Sequence, residues 1–232
     1  MTVVEICVED AAGVALARDG GADRVELCRE LTCGGLTPDF GMVEQALQYA
    51  PLGGMQVLVR PRPGDFVHTP EEIERIAADI RALAVIGEGA RIPVGFVVGV
   101  LGQDGTINRD AAQRLREEAD EAPLTFHRAF DCVTNQEEAL EELMNLGYDR
   151  ILTTGGDQSV AQPQRLRKLA NMANDRLIIL VSGGLRAHNV AAIARQSEAR
   201  EVHMRAPAEN GSSSSTDGDE VRRIMAALGR GV

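Results

Sequence analysis

Eight short β-like stretches recur along this 232-residue chain, and each is followed by a longer amphipathic or alanine-rich segment. Such βαβα alternation is typical of a parallel sheet with helices between its strands. The predicted strands lie at 3–8, 24–28, 55–60, 93–98, 123–128, 149–154, 176–181 and 200–205. The predicted helices lie at about 10–19, 39–49, 70–86, 109–119, 135–146, 163–173, 187–197 and 218–229.

Eight units that end on a helix predict a single closed (β/α)8 TIM barrel domain over residues 1–232, because such barrels contain roughly 250 residues. An open Rossmann-type sheet is the alternative. That fold carries a GxGxxG loop after its first strand, where this chain reads CVEDAAG. The stretch 207–218, PAENGSSSSTDG, is predicted to be a flexible Ser-rich loop between the last strand and the last helix.

The charge and the apolar runs of the chain exclude some classes of binding partner. The net charge of −11 argues against non-specific nucleic-acid binding, which depends on basic side chains. The chain has no basic region ahead of an apolar N-terminal stretch and no apolar run near the ~20 residues of a membrane span, so a cytoplasmic protein without a membrane partner is expected. In that compartment the four cysteines are expected to be free thiols, metal ligands or catalytic groups.

The alternation of side chains predicts which residues face the barrel interior. In the first strand Val4, Ile6 and Val8 would face the helices, which turns Glu5 and Cys7 inward. The same rule turns inward Glu26, Cys28, Arg60, Thr125, His127, Glu201, His203 and Arg205. Barrel interiors are ordinarily aliphatic, and buried charges need partners. This polar set is therefore either a structural salt-bridge network or a functional site near the strand ends.

Loops after the strands add candidate residues. The run 60–66, RPRPGDF, places Arg62 and Asp65 at the rim, and the run 127–131, HRAFD, adds Arg128 and Asp131. Either run alone is compatible with a solvated loop. Together with His203 on the last strand, they predict an anion-binding or acid–base mouth.

Two glycine-rich turns follow the sixth and seventh strands. Thr154 and Gly155 belong to the first turn, and Gly183 belongs to the second. Their backbone N–H groups are suited to a phosphate or carboxylate. Glycine pairs are also common in tight turns without a ligand, and both interpretations remain open.

Seven runs in order resemble the CutC family, the so-called copper homeostasis proteins. They are EIC at 5–7, GGADRVELC at 20–28, GGLTP at 34–38, RPR with GDF at 60–66, TFHRAFD at 125–131, LTTG at 152–155 and EVH at 201–203. The resemblance implies a cytosolic (β/α)8 barrel that often self-associates, so a homo-oligomer is expected. It also implies a link to copper tolerance, with Cu(I) binding at cysteines that match Cys7 and Cys28. The chain departs from the family pattern at Pro63 and in the shortened segment after His203.

The sequence is compatible with two functions. In the first, copper is the cofactor or cargo, because thiolates are soft ligands that suit Cu(I). Cys7 and Cys28 would then point inward with their sulfurs within about 5 Å of each other, while Cys33 and Cys132 would be dispensable. The chain has no CxxC motif or Met-rich cluster to strengthen this prediction.

In the second, the chain is a metal-independent isomerase- or lyase-type enzyme acting on a small anionic molecule. Glu26 or Glu5 would be the base, Arg60 would tune its pKa, and His127 would exchange a proton. Arg62 and the glycine turns would hold the anion. The fold itself does not choose between these functions.

Overall fold

The computed structural model describes residues 1–156, 159–207 and 215–231. Its eight strands are parallel and paired in chain order, and β8 pairs with β1 to close the barrel. The closed (β/α)8 barrel is therefore confirmed, and the open sheet is excluded. The strands are β1 (Val3–Val8), β2 (Arg24–Leu27), β3 (Met55–Leu58), β4 (Val94–Val98), β5 (Leu124–Phe126), β6 (Arg150–Thr153), β7 (Ile178–Val181) and β8 (Glu201–Met204).

Eight α-helices alternate with these strands along the described residues. They are α1 (Ala11–Asp19), α2 (Phe40–Leu47), α3 (Pro70–Gly87), α4 (Arg109–Ala119), α5 (Gln136–Asn145), α6 (Pro163–Ala173), α7 (Val190–Ser197) and α8 (Gly218–Ala227). Two short 3₁₀ helices, Leu31–Cys33 and Arg128–Cys132, lie in the loops after β2 and β5. Helix α3 begins as its sequence predicts, with a capping box between Thr69 and Glu72.

The predicted strands are too long by one or two residues at most ends. Cys28, Arg60 and His127 lie one or two residues beyond the last residue of their strands. The backbone N–H groups of Cys28 and His127 still donate to the carbonyls of Val8 and Val98 on the neighbouring strands, whereas that of Arg60 donates to Thr37 Oγ1. The predicted flexible loop falls largely on residues 208–214, which lie outside the described residues. Pro207 and Thr216 on either side of them form an isolated antiparallel bridge.

The aliphatic outer faces of the strands pack against the helices as predicted. Val4, Ile6, Val25 and Leu27 are completely buried in the cluster between barrel and helices. The opposite parity faces the barrel interior, where polar side chains predominate, among them Glu5, Glu26, Gln56, Thr125 and His203. The sheet therefore has a dry outer face and an ionisable inner face.

Two glycines, Gly95 on β4 and Gly99 directly after it, make room for the larger interior side chains. A Cβ atom at Gly99 would lie 2.1 Å from His127 Cε1, and one at Gly95 would lie 2.4 Å from Gln56 Oε1. Because real Cβ atoms do not approach neighbours so closely, both positions require glycine while those neighbours keep their places. These glycines allow an imidazole and an amide to lie across the barrel interior.

Candidate functional site

A cavity of about 770 Å³ opens at the carboxyl ends of the strands, where TIM barrels carry their active sites. Cys7, Glu26 and His203 line its floor from β1, β2 and β8. Arg60, Asp65 and His127 also line it, as predicted for a polar cavity at this mouth.

The two predicted copper ligands lie side by side. Cys7 Sγ is 3.7 Å from Cys28 Sγ, which confirms the predicted proximity of the sulfurs. Cys7 also donates a hydrogen bond to Glu26 Oε1 at 3.4 Å. The hydrogen bond with Cys28, burial and the Glu26 carboxylate raise the pKa of the Cys7 thiol well above its usual value. Cys7 lines the cavity, whereas Cys28 lies completely buried beside it.

A carboxyl group and an imidazole extend this thiol pair. Ligand atoms of Cys7, Glu26 and His203 all lie within 4.8 Å of one another. Burial raises the pKa of Glu26, and Glu26 Oε2 has no hydrogen-bond partner among the described residues. Burial alone would lower the pKa of His203, but Glu26 and Glu5 outweigh it and raise that pKa. The group therefore combines soft and hard donors in one buried place.

An ionic network fills the barrel nearer the strand starts. Arg24 donates to Glu5 and to Glu201 at 2.5 Å each, and Arg150 donates to the same Glu201 at 3.0 Å. His203 Nδ1 lies 2.7 Å from Glu5 Oε1. Burial alone would raise the pKa of Glu5, but Arg24 and His203 lower it to about 2.

Arg24, Gln56 and Arg150 also face the interior, although they were not among the residues predicted to do so. Arg24 shares the parity of Glu26, and Arg150 precedes the buried Ile151, so extending the alternation to the first residue of each strand finds both. Gln56 lies between the outward-facing Met55 and Val57, so the same rule predicts that its side chain faces inward.

Arg60 and His127 form the opposite wall. The Arg60 guanidinium donates to the backbone carbonyls of Cys33 at 3.3 Å, Gly35 at 3.2 Å and Gly64 at 2.8 Å. His127 Nδ1 accepts a hydrogen bond from Ala129 N at 3.1 Å, which caps the 3₁₀ helix Arg128–Cys132. Burial and the nearby Arg60 lower the pKa of His127 to about 3, so the imidazole is neutral.

Several predicted residues do not reach the cavity. Arg62 does not line it, contrary to the prediction, because its guanidinium pairs with Glu72 at 2.6 Å and Asp65 at 3.0 Å. Asp131 instead joins two loops: it accepts hydrogen bonds from Thr153 Oγ1 at 2.5 Å and Thr154 N at 3.1 Å.

Asp131 also pairs with Arg128 at 2.9 Å. Thr154 and Gly155 lie outside the cavity lining, while Arg128 and Gly183 are part of it.

In the portion of the chain that the structure describes, no helix combines the length and apolar character needed to cross a membrane.

Comparison with known proteins places the chain in a family. The model of the CutC family matches residues 2–208. The chain belongs to the CutC family. It is 39% identical over 202 residues to a CutC family protein of Agrobacterium fabrum, covering 87% of this chain and 78% of that protein. It is 37% identical over 205 residues to the human copper homeostasis protein cutC homolog, covering 88% and 73% of the two chains.

A solved CutC structure agrees with this assignment. The chain superposes on the putative copper homeostasis protein CutC of Streptococcus agalactiae with a TM-score of 0.80 and 28% identity. The alignment covers 88% of this chain and 98% of that one. The family signal therefore extends over most of the barrel.

Proposed function

We propose that the chain is a copper homeostasis protein of CutC type that binds Cu(I) through the thiolates of Cys7 and Cys28. The observation that carries the proposal is the 3.7 Å distance between the two buried sulfurs at the mouth. Thiolates are soft ligands that suit Cu(I). The name of the human relative, copper homeostasis protein cutC homolog, supports the same function. A cytoplasmic location and self-association remain expectations of this proposal.

The residues present fit such a metal. The two sulfurs are in van der Waals contact and lie on neighbouring segments, so small rotamer changes allow both to bind one ion. Two thiolates on Cu(I) leave one net negative charge, and the raised pKa of His203 favours an imidazolium close by. When bound, the metal is the cargo, and this chain's residues hold it and shield it from solvent.

A Cu(I) competition titration under reducing conditions tests the proposal, with a chromophoric chelator as the competitor. Cys7→Ser and Cys28→Ser should weaken the tight site by more than about a hundredfold, because losing a ligand costs more than the roughly 10–100-fold typical of outer-shell partners. Cys33→Ser is the matched control, since Cys33 lines the same cavity on a 3₁₀ helix. Equal affinity in all four proteins would make the thiols ordinary core residues.

A further inference from the structure

The cavity at the mouth is much larger than a metal ion requires. Its volume of about 770 Å³ lies within the roughly 300–1,000 Å³ typical of small-molecule sites. Of the thiol pair only Cys7 lines it, at one part of its floor. The remaining walls therefore need a separate explanation.

Those walls are cationic, although the whole chain carries a net charge of −11. Four arginines line the cavity, whereas its lining contains only two carboxylates among the described residues, Asp65 at the rim and the buried Glu26. The arginines are Arg60, Arg128, Arg186 and Arg205. Arg128 pairs with Asp131 outside the lining, so the excess of positive charge comes from the other three. A local excess of positive charge on an acidic protein indicates an anionic ligand.

Arg60 is a buried cation that forms no ion pair with a carboxylate of the described residues. It is only 5% exposed, and within the described chain its hydrogen bonds go to backbone carbonyls rather than to a carboxylate. Its Nε atom has no hydrogen-bond partner there either. Burying a guanidinium is costly unless an opposite charge lies nearby. A bound anion would supply that charge.

His127 offers a second unused donor. It is 5% exposed, and its Nδ1 atom accepts from Ala129, so the proton of the neutral ring lies on Nε2. Nε2 has no partner among the described residues. The Phe66 ring packs against both groups, with its centroid 4.8 Å from that of His127 and 4.9 Å from Arg60 Cζ. One loop residue thus covers two donors suited to ligand oxygens.

Two of the remaining arginines follow β7 and β8. Arg186 and Arg205 line the cavity beside the Gly183–Gly184 turn, whose residues both have positive φ, 107° and 66°. Burial and the nearby positive charge of Arg205 lower the pKa of Arg186. Loops after the seventh and eighth strands are also where TIM barrels often hold phosphate. This end of the cavity is suited to the most charged part of a ligand.

We propose that the mouth binds a small oxygen-rich organic anion, with its charged end at Arg186 and Arg205 and its hydroxyl or carbonyl oxygens at Arg60 Nε and His127 Nε2. The ligand class is a phosphorylated or multiply carboxylated compound of about three to six carbons, the size that such a cavity admits. This function goes beyond copper binding and does not require the thiols.

Isothermal titration calorimetry of the metal-free, reduced full chain tests the proposal. The probes are 3-phosphoglycerate, citrate and, as the uncharged comparison, glycerol. We expect one site per chain for at least one anion and no measurable binding of glycerol. Binding of 3-phosphoglycerate alone would identify the charged group as phosphate, and binding of citrate would identify carboxylates.

Two variants should weaken binding by about tenfold or more, because each removes a hydrogen bond to a charged ligand. Arg205→Gln removes one cation. His127→Asn keeps an acceptor that can cap Ala129 but removes the Nε2 donor. Arg167→Gln is the matched control, because Arg167 lies on the exposed face of α6 and pairs with Glu198.

Cys28→Ser should bind the anion like the wild type and so separates this proposal from the copper proposal. Circular dichroism establishes that each variant is folded, and Arg205→Gln still decides the outcome if His127→Asn does not fold. The proposal is overturned if neither anion binds, if glycerol binds equally well, or if Arg167→Gln weakens binding as much as Arg205→Gln.

Discussion

The pKa of the Cys7 thiol should make Cu(I) binding depend on pH. Its pKa is raised well above the usual thiol value by its hydrogen bond with Cys28, by burial and by Glu26. Because the thiolate is the metal ligand, copper must displace a proton that Cys7 holds at neutral pH. Cu(I) affinity should therefore fall as pH falls from 8 to 6, by about tenfold per pH unit for each proton displaced.

Competition titrations at three pH values, corrected for protonation of the chelator, measure this slope. Proton release into a weakly buffered solution provides an independent count. A Cu(I) affinity that does not change with pH would show that the ligands bind without losing protons, which is incompatible with the raised pKa of the Cys7 thiol.

Individual residues differ in how far the sequence could predict them. The alternation of side chains correctly predicted that Glu26, Cys28 and His203 face inward, because successive residues of an extended chain point to opposite faces of the sheet. Loops have no such period. Nothing in the sequence around Arg62 indicates that its guanidinium would turn to Glu72, ten positions later at the start of α3.

Among the elements, β4 shows how glycines can position a site, with Gly95 inside the strand and Gly99 directly after its last residue. Gly99→Ala would place a Cβ atom 2.1 Å from His127 Cε1, so the imidazole would have to move away from its capping position. We expect a loss of about 1–3 kcal/mol in the free energy of unfolding, as for other overpacked interiors. Urea denaturation measures it.

Gly41→Ala is the matched control, because nothing lies within 4 Å of a Cβ atom at this position on α2. The same change there should leave stability unchanged or raise it slightly, since alanine favours helix. If both variants behaved alike, the close approach at Gly99 would not control the position of His127.

The element order was predictable because the alternation of short strands and amphipathic helices survives along the whole chain. The positions at which the strands end were harder to predict. Residues such as Arg60 remain buried after the ladder has ended, so a pattern based on burial extends past the hydrogen-bonded strand. Burial by neighbouring loops, rather than pairing, places Arg60 at the mouth.

At the scale of the whole barrel, the interior charges divide into two parts. Near the strand starts Arg24, Glu5, Glu201 and Arg150 form ion pairs across β1, β2, β6 and β8. Of these four, only Arg150 keeps an atom, Nη1, without a hydrogen-bond partner among the described residues. Near the strand ends Glu26, Arg60 and His127 retain atoms without partners among the described residues. The structural network and the functional site, which were alternatives from the sequence, thus occupy different depths of the same interior.

Arg24 on β2 binds Glu5 on β1 and Glu201 on β8. Since β1 pairs with both β2 and β8, Arg24 links the three strands where the barrel closes. Arg24→Met would remove the guanidinium that Glu5 and Glu201 share. We expect a loss of about 3–5 kcal/mol in the free energy of unfolding, as for other broken buried pairs. Arg167→Met, which breaks an exposed pair with Glu198, should cost less than about 1 kcal/mol.

Acid unfolding provides a second measurement of the same network. The pKa of Glu5 is about 2 in the folded chain against a usual value of 4.5, so its contribution is present above that usual value and is lost as pH falls toward 2. Without Arg24 the pKa of Glu5 should rise toward its usual value, because the burial that opposes ionisation remains. Arg24→Met should therefore unfold at a higher pH than the wild type when circular dichroism is followed during an acid titration. An unchanged acid midpoint would mean that His203 alone keeps Glu5 ionised and that Arg24 does not stabilise the closed barrel through this carboxylate.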